Sequence, residues 1–177
     1  MTAKSQSLSD QAIHKKVLET ETGSRRPTGA ISKNLLFFIP LFWTLFQLWY
    51  SSPLPYAFNF LIFNATQARS IHLSFAIFLA YTAYPTFKSS PREYIPVQDW
   101  LMALIGAFCT GYIFLFYDSL STRPGLPTTM DLAVSITGLA LLLEATRRDV
   151  GPHLMVVAGV FIVYTFAGAY MPDVISH

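Results

Sequence analysis

The sequence predicts an all-α integral membrane protein with about five transmembrane helices, and three observations lead to that prediction. Of its 177 residues, 53% are hydrophobic and 12% charged, and the mean hydropathy is +0.42. Soluble domains carry about 25% charged residues. Five apolar runs each approach the ~20 residues that a helix needs to cross a ~30 Å hydrocarbon core. Because lipid offers backbone N–H and C=O groups no partners, these runs are expected to be helices.

Two regions are predicted along the chain. Residues 1–33 form a polar cytoplasmic tail, in which "LSDQAIHKKVLETE" forms either a short amphipathic helix or a disordered stretch. Residues 34–177 form the transmembrane helical domain. Its predicted spans are roughly 35–51, 70–87, 99–118, 129–147 and 152–171. Residues 51–64 are Pro-rich and too short to span, so we expect an interfacial element, with a re-entrant turn as the alternative.

The distribution of Lys and Arg predicts the orientation. Cations gather in cytoplasmic segments of membrane proteins. With the N-terminus in the cytoplasm, only Arg69 and Arg123 fall on the outer side. The other ten fall inside: Lys4, Lys15, Lys16, Arg25, Arg26, Lys33, Lys88, Arg92, Arg147 and Arg148. The bias predicts an even number of spans before Arg147 and a C-terminus on the outer side.

The stretch "LLLEATRRDVGPHL" brings charge to the end of an apolar helix. Glu144 lies three and four residues before Arg147 and Arg148, a spacing that allows ion pairs along one helix edge. We expect both arginines to reach the cytoplasmic interface, while Gly151 and Pro152 end one helix and start the next. The pattern predicts a topology signal; contact with a partner subunit or an anionic lipid headgroup is the alternative.

The start of the same helix reads "PTTMDL". Thr128 and Asp131 have the spacing of a capping box, in which side chains satisfy the free N–H groups of the first turn. Helix capping is the predicted role. Ion coordination by Asp131 is the alternative, and it would need further oxygen ligands.

Small residues recur in the third predicted span. Ala103, Ala107 and Gly111 are spaced by four residues, which permits close helix packing in a bilayer. Packing within this chain is predicted, with packing against another subunit as the alternative. His72, in the second span, is predicted to be a hydrogen-bonded structural histidine, with a pH-sensitive or ligand-contacting role as the alternative.

Catalytic patterns are absent from the sequence. No nucleophile elbow, H-E-x-x-H pair, phosphate-binding glycine loop or metal-ligand spacing is present. We therefore predict no enzyme activity, no catalytic, substrate-binding or metal-binding residues, and no cofactor in this chain. Nothing in the sequence indicates nucleic-acid binding.

Several segments together resemble a known family. They are "ETGSRRPTG", "LFQLWYSSPLP", "RSIHLSFAIFLAYTAYP", "DWLMALIGAFCTGYIFLFYD" and the C-terminal stretch from "PTTMDL" onward, which contains "EATRRDVG". In their order and spacing they resemble the small-subunit region of tripartite ATP-independent periplasmic (TRAP) transporters of the TAXI type. The resemblance covers roughly residues 20–177.

The resemblance implies a multi-pass subunit of the bacterial inner membrane that acts as a scaffold. Its implied partners are a large TRAP membrane subunit of the elevator type, a TAXI-type periplasmic binding protein and membrane lipids. Sodium ions and the substrate, an organic anion and expected to be a carboxylate, would bind the large subunit. The alternatives are the small subunit of another tripartite carboxylate uptake system, or a free-standing small membrane enzyme or assembly factor.

Overall fold

The computed structural model describes residues 24–25, 28–86 and 93–167, and the secondary structure within these ranges is entirely helical. The helices are α1 (Ala30–Ser51), α2 (Leu54–Phe58), α3 (Ala65–Ala83), α4 (Val97–Leu115), α5 (Tyr117–Ser121), α6 (Thr129–Asp149) and α7 (Pro152–Ala167). The predicted all-α class is therefore confirmed for the described residues. The amphipathic helix considered for the N-terminal tail lies outside them.

Each of the five predicted spans corresponds to a long helix, but the bounds differ. Helices α1 and α3 begin five residues before the first two predicted spans, so the predicted boundary between residues 33 and 34 falls inside α1. The end predicted at residue 171 lies outside the described residues. Residues 51–64 contain the short helix α2 and mostly exposed side chains, which leaves the choice between an interfacial element and a re-entrant turn open.

Local chemistry explains both ends of α3. Asn64 forms a capping box with Gln67: the Asn64 side chain accepts from the Gln67 N–H, and the Gln67 side chain accepts from the Asn64 N–H. These bonds start the helix before the apolar run begins. The helix ends at Ala83 because Tyr84 precedes a proline, and residues in that position disfavour helical backbone.

The helices α3, α4 and α6 form the centre of the bundle. Its core cluster consists of Ile77 and Tyr81 from α3, Ala103 from α4 and Ala145 from α6. A Cβ on Gly106 would lie 2.5 Å from a methyl carbon of Ile77, so α3 and α4 pack at a distance that only glycine permits there. Helix α1 packs on α3, and α7 packs on α6.

Among the described residues, three helices are long and apolar enough to cross a membrane, namely α1, α4 and α6. Helix α3 is less apolar because it carries several polar side chains, and its buried residues include Ser70 and Thr82. Its neighbours cover it on several sides, so its surface need not be uniformly apolar. Helix α7 has 16 described residues. The five-span count is therefore not established by helix length and composition.

Helices α6 and α7 are joined by the turn predicted at Gly151 and Pro152. Gly151, with φ of 102°, takes a backbone conformation that residues with a Cβ rarely adopt, and its N–H donates to the carbonyl of Thr146. Pro152 begins α7. The predicted helix end and restart at these residues are confirmed.

Candidate functional site

The most distinctive site is an ion cluster at the end of the bundle where α3 and α6 finish and α4 begins. It contains three arginines and two carboxylates: Arg25, Arg147, Arg148, Asp99 and Glu144. We call it the charged end. Its members come from the segment before α1, from α4 and from α6.

The α6 part of the charged end matches the predicted spacing. Arg147 donates from Nε and Nη2 to the two oxygens of Glu144, at 2.7 and 2.6 Å. Arg148 donates from Nε to Glu144 Oε1 at 2.9 Å. One carboxylate therefore holds both arginines, as predicted from the i,i+3 and i,i+4 positions.

Asp99 is the centre of the cluster. It lies in the first turn of α4 and is fully buried. Its Oδ1 accepts from Arg148 Nη1 at 2.8 Å and from the Thr86 hydroxyl at 3.3 Å, while its Oδ2 accepts from Arg25 Nη2. The side chains of Arg25 and Arg148 are both 0% exposed. A single carboxylate thus joins two buried cations from remote parts of the chain.

Arg25 attaches the segment before α1 to the bundle. Its backbone N–H donates to the carbonyl of Ala83 at 2.6 Å, and its Nη1 donates to the carbonyl of Tyr81 at 3.3 Å. Its Nε is buried and has no hydrogen-bond partner among the described residues. A little further along, the Thr28 N–H donates to the carbonyl of Glu93 at 2.9 Å.

Tyr81 supports Arg148 from the side of α3. The guanidinium carbon of Arg148 lies 4.5 Å from the centre of the Tyr81 ring, which is a cation–π distance. The Tyr81 hydroxyl donates to the carbonyl of Leu141 on α6 at 2.8 Å. The same tyrosine therefore links α3 to α6 and covers the buried guanidinium.

The two arginines, both expected to reach the cytoplasmic interface, differ in exposure, and it is Arg148 whose side chain is inaccessible. Its side chain is buried against Asp99, Tyr81 and Met102. Arg147 is 28% exposed and also donates to the carbonyl of Thr86 at 3.3 Å. The difference arises because Arg148 faces α3 and α4, where a buried carboxylate is available to offset its charge.

A second ion cluster lies at the opposite end of the bundle, around Asp131. The structure contains the predicted capping box: the Asp131 N–H donates to the Thr128 hydroxyl at 3.3 Å, and the Thr128 N–H donates to Asp131 Oδ2 at 2.8 Å. Tyr112 donates to Oδ1 at 2.7 Å, and Arg123 lies 3.0 Å from Oδ2. Both carboxylate oxygens thus accept hydrogen bonds, and a coordinated cation would face the charge of Arg123 at close range.

The small residues that are spaced by four in α4 pack against α3 within this chain. Ala103 is fully buried in the core, and a Cβ on Gly111 would lie 3.1 Å from the Ser74 hydroxyl oxygen. Ala107 and Gly111 also line a groove between α1, α3 and α4. An added Cβ would meet its neighbour more closely at Gly106 than at Gly111, and the four-residue spacing does not include Gly106.

His72 makes the kind of bond predicted for a structural histidine. Trp43 Nε1 donates to His72 Nδ1 at 2.7 Å, which joins α1 to α3. The Phe46 ring lies edge-on to His72, with centroids 5.1 Å apart. Among the described residues, no group of His, Cys, Asp and Glu has the geometry to hold a metal ion.

Sequence reasoning missed Arg25, Asp99 and Tyr81 as members of the charged end. Asp99 was visible as the only acidic residue of α4's first turn, and Arg25 lies in one of the resembling segments. The signal that could have found them is charge balance: Arg147 and Arg148 both have helical pairing distance to one carboxylate, Glu144, so a further carboxylate is needed if either arginine is buried.

The fold and the site define an all-helical protein in which three helices, among the described residues, are long and apolar enough to cross a membrane. Comparisons of the chain with family models, with curated proteins and with solved structures each found no match.

Proposed function

We propose that the chain is the small membrane subunit of a TRAP transporter of the TAXI type in the bacterial inner membrane. In this complex the chain is a scaffold for the large elevator-type subunit. The large subunit holds the coupling sodium ions and the substrate. A periplasmic binding protein delivers the substrate, an organic anion for which a carboxylate is expected.

The observation that carries the proposal is that three of the resembling segments meet in the charged end. The segment "ETGSRRPTG" contributes Arg25, "DWLMALIGAFCTGYIFLFYD" contributes Asp99, and "EATRRDVG" contributes Arg148. These segments are far apart in the sequence, yet one buried carboxylate binds both arginines. The segments on which the resemblance rests are therefore physically connected, which supports treating them as one set.

The chemistry of the polar groups supports a scaffold role. The carboxylates of Asp99, Asp131 and Glu144 all have arginine partners, so each is already neutralised by the chain itself.

Helices α1 and α7 contain no buried residue within the described ranges, and they present large apolar side chains such as Phe42 and Phe161 outward. Such surfaces suit contact with lipid or with another membrane protein.

The proposed topology has five spans, a cytoplasmic N-terminus and a periplasmic C-terminus. It is supported by the cation bias and by the meeting of Arg25, Arg147 and Arg148 at one end of the bundle. Reporter fusions between Lys88 and Arg92 should be cytoplasmic, and fusions at His177 should be periplasmic. A cytoplasmic reporter at His177 would contradict the five-span topology.

Affinity purification of the tagged chain from its native membrane tests the proposal. We expect a large multi-span membrane protein to co-purify, and organic-acid uptake into cells to require the chain, a sodium gradient and the binding protein. A different type of binding protein encoded beside the chain would favour another tripartite uptake system. A chain that purifies alone and is dispensable for uptake would overturn the proposal.

A further inference from the structure

A groove between α3, α4 and α6 opens at the end of the bundle opposite the charged end. Its volume is about 470 Å³. Its walls are mainly apolar and include Leu73, Ile113, Val134, Leu139 and Leu142. Polar side chains from the second ion cluster stand at one end of the groove, so the groove is amphipathic along its length.

The polar rim carries a cation that the residues described by the structure do not neutralise. Arg69 is exposed, lines the groove and forms no hydrogen bond or ion pair with any residue in the described ranges. Asp131 also lines the groove, but Arg123 offsets its charge at 3.0 Å. The rim therefore has an excess of positive charge, which suits the binding of a single anionic group.

The polar groups deeper in the groove are satisfied by the protein. The Ser70 hydroxyl donates to the carbonyl of Thr110 at 2.6 Å, and the Thr110 hydroxyl donates to the carbonyl of Gly106 at 2.8 Å. Because these hydroxyls already have partners, the interior favours an apolar occupant over a polar one.

The length of the groove matches one leaflet of a bilayer. Leu142 lies about three helical turns, or ~16 Å, beyond Asp131 along α6. Half of a ~30 Å hydrocarbon core is about the same length. A chain that enters beside Arg69 and follows the groove to Leu142 therefore spans the depth that a lipid tail occupies.

We propose that this groove binds one phospholipid, with its phosphate against Arg69 and one acyl chain along α6 towards Leu142. The phosphate matches the uncompensated guanidinium, which forms charge-assisted hydrogen bonds with such oxygens. The acyl chain matches the apolar walls and their length. The site requires only that the bundle lies in a membrane, so it does not depend on the transporter assignment.

The test uses the full chain purified with its co-purifying partners in mild detergent. Native mass spectrometry follows binding of phosphatidylglycerol and of diacylglycerol, which has the same acyl chains but lacks the phosphate. Arg69→Gln removes the rim cation, and Ser135→Trp fills the groove from its exposed wall on α6. Lys33→Gln, which neutralises an exposed cation on α1 away from the groove, is the matched control.

We expect one tightly bound phosphatidylglycerol, about fivefold weaker binding in Arg69→Gln, and unchanged binding in Lys33→Gln. Fivefold corresponds to the ~1 kcal/mol that one basic side chain contributes to anionic lipid binding. Diacylglycerol should bind the wild type weakly and be insensitive to Arg69→Gln, and Ser135→Trp should abolish the tight site.

Equal phosphatidylglycerol affinities for Arg69→Gln and Lys33→Gln would overturn the proposal. A cross-link from Leu139→Cys to a co-purifying membrane protein, with no lipid bound to the complex, would overturn it in favour of a protein helix in the groove.

Discussion

Each end of the bundle contains an aspartate in the first turn of a helix, and the two aspartates bind different kinds of partner. Asp99 in α4 and Asp131 in α6 both occupy the third position of their helices. Asp131 bonds back to Thr128, the N-cap residue three positions earlier. Asp99 makes its ion pairs with Arg25 and Arg148, which are 74 and 49 residues away in the sequence.

The N-cap residue explains the difference. The Thr128 N–H donates to the Asp131 carboxylate. Part of the hydrogen-bonding capacity of that carboxylate is therefore taken up within one helical turn. The residue before α4 is Pro96, which has no backbone N–H to offer. The Asp99 carboxylate is therefore left available for long-range partners. A proline in the cap position converts a local capping residue into a tertiary contact.

Burial separates the two clusters further. At the charged end, both arginines that bind Asp99 are inaccessible, whereas Arg123 at the other end is 27% exposed. Breaking a buried pair leaves a charge without compensation, which costs far more than losing an exposed one. The charged end should therefore dominate the stability of the bundle.

The largest effect is expected for Asp99→Asn. The substitution removes the carboxylate that pairs with the buried Arg25 and leaves the buried Arg148 with Glu144 alone, and it should lower the free energy of unfolding by about 3–5 kcal/mol. Unfolding of the purified protein by SDS titration in mixed micelles measures this change. Asp131→Asn is the matched control and should have a smaller effect. Equal effects of the two substitutions would contradict the comparison.

The next effect separates the adjacent arginines. Arg148→Gln should destabilise by about 3 kcal/mol because it leaves Asp99 less compensated in the interior. Arg147→Gln removes a partly exposed pair with Glu144 and should cost about 1 kcal/mol or less. The same unfolding titration measures both variants. A larger loss for Arg147→Gln would show that the partly exposed arginine contributes more to stability than the buried one.

A smaller effect is expected for Thr128→Ala. It removes the hydroxyl that accepts from the Asp131 N–H and should cost about 1 kcal/mol, the usual value for an N-cap. Hydrogen exchange of the first turn of α6 should rise while exchange at the charged end stays unchanged. Faster exchange at both ends would mean that the two clusters are not independent.

The sequence predicted what depends on short spacing. The capping box, the pairs of Glu144 with Arg147 and Arg148, and the turn at Gly151 all involve residues within a few positions of one another, and all are present. Local geometry is fixed once a helix forms, so spacing alone is sufficient for such contacts.

Contacts between remote segments were not predictable in the same way. The pairing of Asp99 with Arg25 and Arg148 depends on which helix faces meet, and hydrophobic runs without a strong polar face do not specify that. The burial of Arg148 was missed for this reason. The tight contact of Gly106 with Ile77 also depends on which helix faces meet, and the four-residue spacing of Ala103, Ala107 and Gly111 does not specify it.

A double-mutant cycle tests the central claim most directly, namely that Asp99 holds remote segments together through buried ion pairs. The cycle compares Asp99→Asn, Arg148→Gln and the double variant in the unfolding titration. Because each single change leaves the other partner buried with one of its two ion pairs lost, we expect a coupling free energy of about 2 kcal/mol or more. The cycle for Asp131 and Arg123 should give a smaller value. A coupling near zero between Asp99 and Arg148 would contradict the account.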